Sequence, residues 1–300
     1  MTTRISHRGP DASGYYYKGQ AALGHRRLAI LDLEASTQPM MSADGRYVLA
    51  YNGELYNFRE LKRELEALGK TFRTAGDTEV LLQALIEWGE EVLPRLQGMF
   101  AFAFWDAAEE HLLLARDHLG VKPLHIFWDG QRLLFASEIK ALLEHPAVSR
   151  EIDSNAIGLY LECQYIPAPF TIYQQIRKLP AAHLLSLKKG VFKQRRYWVP
   201  SYLPKFEFDE ETALEKLEAE LKRSVASMLI SDVPLGVFVS GGIDSSLIAA
   251  LMQREAGHSP KIFHLGFENP EHSEHIHAAR VASFLGAEHH PLIVHANDMI

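Results

Sequence analysis

A single cysteine in 300 residues, Cys163, excludes an intramolecular disulfide and is compatible with a reducing compartment. No apolar run is long enough to span a bilayer, and the polar start, MTTRISHRGPD, lacks the order of a secretory signal. Lysine and arginine form no stripe and the formal net charge is −7, which argues against nucleic acid as the main partner. The chain has no G-x-x-x-x-G-K-[ST], so the usual phosphate loop of NTPases is missing. What is present is an ordinary globular composition, 47% hydrophobic and 23% charged. The length suggests about two domains by the ~150-residue prior. A cytoplasmic protein without membrane contact is the expectation.

The most informative stretch is Ser240-Gly241-Gly242-Ile243-Asp244-Ser245-Ser246. Before it, Val237-Phe238-Val239 reads as a short buried strand; after it, Leu247, Ile248, Leu251 and Met252 recur at helical spacing. Strand, Gly-Gly turn and helix aim backbone N–H groups and a positive helix end at one point, where an anion binds well. The glycines permit positive φ and close backbone approach. The serines add hydroxyl donors, and Asp244 is placed to hold a hydrated magnesium ion between phosphates. The bland alternative is a Ser/Gly-rich surface turn before an ordinary helix. The loop resembles the SGGxDSS pyrophosphate loop of the N-type ATP pyrophosphatases. That resemblance implies cleavage of ATP between its α and β phosphates and adenylation of a substrate oxygen.

Residues 47–51 predict a strand running into Asn52-Gly53-Glu54. Asn57, with Glu60 three residues on, predicts a capping box for a helix apolar at Phe58, Leu61, Leu65 and Leu68 and ended by Gly69. After Gly76-Asp77-Thr78-Glu79 a second helix is apolar at Val80, Leu81, Leu85 and Trp88 and stops at Gly89. Residues 99–105 are apolar on both sides, which suits a strand between two layers, and 111–116 and 132–136 are further strands. Helices grouped between strands predict a layered α+β domain. Val199-Pro200-Ser201-Tyr202-Leu203-Pro204-Lys205 reads as a linker, and Asp209 caps a long helix with Leu214, Leu217, Leu221, Val225 and Met228 on one face. Strand and helix then alternate over 237–239, 247–254, 261–267, 273–284 and 289–294. This is the rhythm of a doubly wound parallel sheet, whose first strand–helix turn binds nucleotides, with too few strands to complete it.

Polar clusters in the first domain exceed what core packing requires: His7-Arg8-Gly9-Pro10-Asp11, Gly24-His25-Arg26-Arg27-Leu28-Ala29-Ile30-Leu31-Asp32, Tyr51-Asn52-Gly53-Glu54-Leu55-Tyr56-Asn57 and Gly76-Asp77-Thr78-Glu79-Val80. The second sets charge beside an apolar strand. Each alone has a dull explanation, since Asn-Gly is a common turn and Asp-Thr a common cap. In this order ahead of SGGIDSS they resemble the glutamine-hydrolysing asparagine synthetases. Gly98-Met99-Phe100-Ala101-Phe102-Ala103 and Arg116-Asp117-His118-Leu119-Gly120-Val121-Lys122-Pro123-Leu124 extend the likeness, as do Phe135-Ala136-Ser137-Glu138-Ile139-Lys140-Ala141-Leu142 and Ile176-Arg177-Lys178-Leu179-Pro180.

The resemblance implies a class II glutamine amidotransferase domain over 1–198, an α+β layered sandwich of the N-terminal-nucleophile type. A linker over 199–208 and an incomplete α/β doubly wound ATP pyrophosphatase domain over 209–300 would follow. It implies that Arg27 pairs with the α-carboxylate of glutamine and that Glu54 and Asp77 hold its α-ammonium. The Asn52 amide and the Gly53 N–H would form the oxyanion hole. Ser240, Gly241, Gly242, Asp244, Ser245 and Ser246 would bind ATP, with Asp244 on Mg2+. Val239 and Leu265, at the ends of adjacent strands, would line the adenine pocket. ATP and Mg2+ are the implied cofactors, and glutamine, aspartate and ATP the partners, with a homodimer as a possible assembly.

The implied reaction is asparagine synthesis: aspartate is adenylated on its β-carboxylate, and ammonia from glutamine displaces AMP. A related amidotransferase with another carboxylate acceptor and a catalytically silent fragment are the alternatives. The family's nucleophile is a cysteine at the mature N-terminus, its own α-amine serving as base, and this chain has none. Thr2 could become terminal but would lack the strand that positions a nucleophile. Cys163, in Leu159-Tyr160-Leu161-Glu162-Cys163, reads as a packed thiol. The family's later acidic SGEGSDE-type segment is missing too, so the chain reads as truncated at both ends. Finally, His272, His275, His277, His289 and His290 invite a metal reading. His275 and His277 stand two apart on a predicted helix and share no face, and zinc needs a defined ligand spacing. An exposed helix start and the approach to a strand is the expectation there.

Overall fold

The computed structural model describes residues 1–267, 269 and 273–295, and the chain divides into two compact units, Met1–Ser201 and Tyr202–Ile300. In the first, a 3-10 segment, Thr2–Arg8, precedes an antiparallel hairpin of β1 (Ala12–Lys18) and β2 (Ala21–Arg27). β3 (Met40–Met41) and β4 (Tyr47–Leu55) lead into α1 (Phe58–Ala67) and α2 (Asp77–Trp88). β5 (Gly98–Asp106), β6 (His111–Arg116), β7 (His125–Trp128) and β8 (Leu133–Ala136) come next. The helices α3 (Ile139–Leu142) and α4 (Ser154–Cys163) precede β9 (Ile176–Lys178), β10 (His183–Lys188) and β11 (Val191–Arg196).

Two antiparallel sheets result, one in the order β11-β10-β6-β5-β4-β3 and one in the order β8-β7-β9. β5 is central because both of its faces are apolar. Ala101, Ala103 and Trp105 pack with Ile126 of the smaller sheet, while α2 packs on the neighbouring strand β4. Helices, large sheet and small sheet thus form the layered α+β arrangement, held by burial worth ~25 cal/mol per Å² of apolar surface.

Three local expectations change. Asn57 does not cap α1; its side chain donates to Arg95 O (3.0 Å) and accepts from Gln97 N (3.0 Å), tying the chain ahead of β5 to the end of β4. Leu68 lies past the buried stripe and is exposed. The apolar run Leu28 to Leu31 is loop, since β2 ends at Arg27.

In the second unit α5 (Glu210–Met228) is capped by Asp209, whose carboxylate accepts from Thr212 N at 2.8 Å. Asp209→Ala is expected to lower this unit's melting temperature, as loss of an N-cap does; no shift would remove the cap's importance. Then follow β12 (Gly236–Phe238), α6 (Ile243–Ala256), β13 (Lys261–Phe267), α7 (His275–Leu285) and β14 (Glu288–Val294). The three strands pair in parallel in chain order. Same-direction crossovers put both helices on one face, where Val239, Ala249, Ile262, Ala278 and Ala282 form the core.

The opposite face is bare among the described residues: Phe238 is 75% exposed and Leu265 50%. The expected buried strand is therefore buried on one side only. The parallel sheet is partial, because double winding needs a reversal of strand order that these three strands lack. On α5 only Val225 is buried; Leu214, Leu217 and Met228 are exposed.

Candidate functional site

The ends of β2 and β4 and the start of α2 converge on a cavity of about 150 Å³. Arg27, Asn52, Gly53, Glu54 and Asp77 all line it. The fold also brings in Tyr51, His25, Gln38 and Lys122. The first two and Lys122 lay inside the sequence clusters without a role, and Gln38 carried no signal.

Arg27 is fixed before any ligand arrives. Its Nη1 donates to Leu33 O (2.8 Å) and its Nη2 to Leu31 O (2.9 Å) and Asp32 O (2.6 Å). The Asp32 carboxylate accepts in turn from Ser36 Oγ (2.9 Å), Ala75 N (3.0 Å) and Gly76 N (3.3 Å). One loop therefore links the guanidinium to the residues just before Asp77. Asp77 is buried and accepts from Tyr51 Oη (3.0 Å) and Leu55 N (2.8 Å).

Asn52 Nδ2 is buried and has no hydrogen-bond partner among the described residues. Such atoms are normally paired, so this donor on a cavity wall points to a missing acceptor. Beside it, a Cβ on Gly53 would lie 2.3 Å from Met99 O and 2.9 Å from Phe100 Cα. Only glycine lets the backbone form the wall here.

Burial, then the neighbouring Asp77 carboxylate, push the Glu54 carboxyl up to about 7, against the pull of Lys122 and Arg27. Burial also raises Asp77 and lowers the Lys122 ammonium. His25 is lowered to about 4 by burial, so near neutral pH its uncharged ring donates from Nε2 to Tyr51 O at 3.0 Å. The cavity holds two carboxyls under strain from burial, a setting completed by a cation.

A testable consequence follows from the sign. A folded-state pKa raised above the ordinary 4.5 stabilises the fold below pH ~4.5, and that contribution is lost as pH rises through about 7. An amino acid's ammonium reverses the preference by favouring ionised Glu54. Binding of an amino acid should therefore release protons near pH 6–7, its affinity falling by up to about tenfold per unit below pH 7. Calorimetry in buffers of different ionisation enthalpy reads this; no proton release would detach Glu54 from the ligand.

In the second unit the loop after β12 is built for close approach. Gly241 has φ 92°, and a Cβ there would meet His277 Cβ at 2.4 Å. Ser240 Oγ accepts from Gly242 N (3.2 Å) and lies 3.1 Å from Ser245 Oγ, and Ser246 Oγ donates to Gly242 O (2.7 Å). Asp244 stands exposed in the first turn of α6. Val239, just past the end of β12, and Leu265 of the neighbouring β13 present opposite faces: Val239 joins the helix-covered core and Leu265 the bare face.

Cys163 is exposed at the end of α4 instead of packed, and lines neither the small cavity nor the larger cleft beside it. Of the histidine cluster, His272 lies outside the described residues. His277 is exposed, and His290 stacks on Phe263 at 4.9 Å. His275 and His289 instead meet His264, which the sequence cluster did not include.

Residues 1–198 match the family described as glutamine amidotransferase domain, and residues 216–300 match asparagine synthase. Asparagine synthetase (glutamine-hydrolyzing) 3 of Bacillus subtilis strain 168 is 35% identical, covering 100% of this chain and 52% of its own length. A putative asparagine synthetase (glutamine-hydrolyzing) of Mycobacterium tuberculosis is 38% identical (99% and 48%), and asparagine synthetase B (glutamine-hydrolyzing) of Escherichia coli K12 is 34% identical (97% and 50%). The chain spans about half the length of the curated relatives it matches. A solved glutamine phosphoribosylpyrophosphate amidotransferase from B. subtilis covers 92% of this chain and 68% of its own. Its sequence identity is 18% and the TM-score 0.45. Residues 1–198 place the chain in the glutamine amidotransferase domain family, and its second half matches asparagine synthase in the order seen in the relatives.

Proposed function

We propose that the protein serves ATP-dependent synthesis of asparagine from aspartate, with glutamine as nitrogen donor. The observation that carries the first half is the unpartnered Asn52 amide in a cavity that also holds a fixed guanidinium, the buried Asp77 carboxyl and the half-buried Glu54 carboxyl. Glutamine fits that set: its α-carboxylate on Arg27, its α-ammonium on Glu54 and Asp77, its side-chain carbonyl on Asn52 Nδ2 and the Gly53 N–H. Those two donors would stabilise the oxyanion of a tetrahedral intermediate. Attack would come from the cleft of about 470 Å³ that shares His25, Tyr51 and Asn52 with the cavity.

The 300-residue chain carries no thiol on either cavity, so it is expected to bind glutamine without hydrolysing it. Ammonia release from the purified chain measures this. Turnover that survives Cys163→Ala would reveal another nucleophile.

In the second half, the loop 240–246 would cradle the phosphates of ATP. Asp244 fits a magnesium ion, since one exposed carboxylate plus phosphate oxygens is a donor set that Mg2+ accepts. Attack by the aspartate β-carboxylate on the α-phosphate would give an aspartyl-adenylate and pyrophosphate, and ammonia would then release AMP. Labelled ATP tests this in a chain extended to the length of its relatives. Aspartate-dependent AMP and pyrophosphate are expected, and both should vanish in Asp244→Asn and Gly242→Val. ADP and phosphate as products would overturn the reading. It also carries a homodimer, checked by light scattering, and a cytoplasmic location; among the described residues no helix is long and apolar enough to cross a membrane.

A further inference from the structure

Three imidazoles face one another on the helix-covered side of the second unit's sheet. The ring centres of His264 and His275 are 5.9 Å apart, those of His264 and His289 6.4 Å, and those of His275 and His289 5.9 Å. His264 is 4% exposed. Its Nδ1 lies 2.9 Å from Val239 O, an oxygen that can only accept, so Nδ1 carries the proton and Nε2 bears a lone pair. Among the described residues that Nε2 has no partner, and neither have His275 Nδ1 and His289 Nε2, all three buried.

Buried polar atoms left unpaired in a native fold call for a missing partner. Three at once, on rings that form a near-equilateral triangle, call for one shared partner. A ring whose second nitrogen donates to a backbone carbonyl is also how metal-binding histidines are oriented. We propose that His264, His275 and His289 form a binding site for one divalent ion of the zinc class, with a fourth position open to water. Imidazole donors select first-row transition ions over magnesium or calcium.

The resting triangle is slightly wide, and among the described residues no three side chains stand at coordinating distance of one point. Metal–nitrogen distances of about 2.0–2.1 Å would bring three imidazole centres to roughly 5–5.5 Å. Each ring then moves by less than about 1 Å. His275 is the first residue of α7 and His289 the second of β14, so two of the three sit at element ends, where adjustment is least opposed.

The test is cobalt(II) titrated into the purified 300-residue chain. One equivalent should bind with the intense visible bands of a four-coordinate ion and be displaced by zinc. Even outer-shell partners are worth about 10–100-fold in metal affinity, so His275→Ala and His289→Ala should each weaken binding about a hundredfold or more. His277→Ala and His290→Ala, which point elsewhere, should leave it unchanged. Thermal melts confirm folding, and His289→Gln replaces the alanine variant if that one unfolds. Absence of stoichiometric binding, an octahedral spectrum, or binding that survives both triangle variants would overturn the proposal.

Discussion

Replacing Arg27 with alanine should weaken glutamine binding by ~2–5 kcal/mol, or roughly 30- to 4,000-fold, the range for truncating one partner of a desolvated, hydrogen-bonded charge pair. An exposed charge pair would cost only ~1 kcal/mol or less. The larger figure applies because Arg27 is 8% exposed and its fork is aimed in advance by three loop carbonyls. Those bonds also hold the loop, so some loss of stability accompanies the variant. Arg27→Lys separates the two effects. It keeps the charge but not the planar fork that matches a carboxylate, and most of the affinity should still be lost. Calorimetry with glutamine measures both variants. Unchanged affinity in either would make Arg27 a loop brace only and remove glutamine's α-carboxylate from this position.

Asp117→Ala should cost about 3–5 kcal/mol of stability, because the buried Phe100 amide is left without an acceptor at ~1–3 kcal/mol and three part-buried amides each lose a bond worth ~0.5–1 kcal/mol. Asp117 is 1% exposed. Its carboxylate accepts from Phe100 N (3.2 Å), Leu119 N (3.2 Å), Val121 N (2.9 Å) and Lys122 N (2.9 Å). Arg116 does the converse, donating to the carbonyls of Gly120, Lys122 and Leu179 at 2.7 Å each. Adjacent residues of opposite charge therefore satisfy both kinds of backbone group in the loop that carries Lys122 to the cavity. Asp117→Asn keeps one oxygen and should cost about half as much. Urea midpoints read the stability. A second readout is the Glu54 carboxyl, which should rise further once Lys122, which now pulls it down, is released. A change under about 1 kcal/mol would show that water replaces the carboxylate.

Much of the arrangement was legible in the sequence where one physical cause dominates. The doubly apolar stretch 99–105 could only be a strand between layers, and β5 is that strand. Asp209 before a polar first turn could only cap, and it does. What stayed hidden depends on distant partners. Asn57 and Glu60 have the spacing of a capping box, yet Arg95 and Gln97, brought alongside by β5, outcompete the helix for the Asn57 side chain. The resemblance paired Leu265 with Val239 at one adenine pocket, and only the one-sided helix packing shows that the two side chains face opposite ways. Arg27, the Asn52-Gly53-Glu54 turn and Asp77 are far apart in sequence and individually unremarkable, and only the family resemblance grouped them. Their common cavity is a product of the tertiary fold. The triangle needed His264, a lone histidine in an apolar strand, which no spacing rule connects to the later histidines.

β12 is three residues long and, among the described residues, pairs on one side only; one residue, Val239, separates it from Ser240. A segment held by so short an edge opens locally at little cost in free energy, well below that of global unfolding. The amides of the nucleotide loop should therefore be among the first in this unit to exchange with solvent deuterium, ahead of those in β13. A ligand that engages the loop would be visible as slowed exchange over 240–246 even if no atom of the sheet moved.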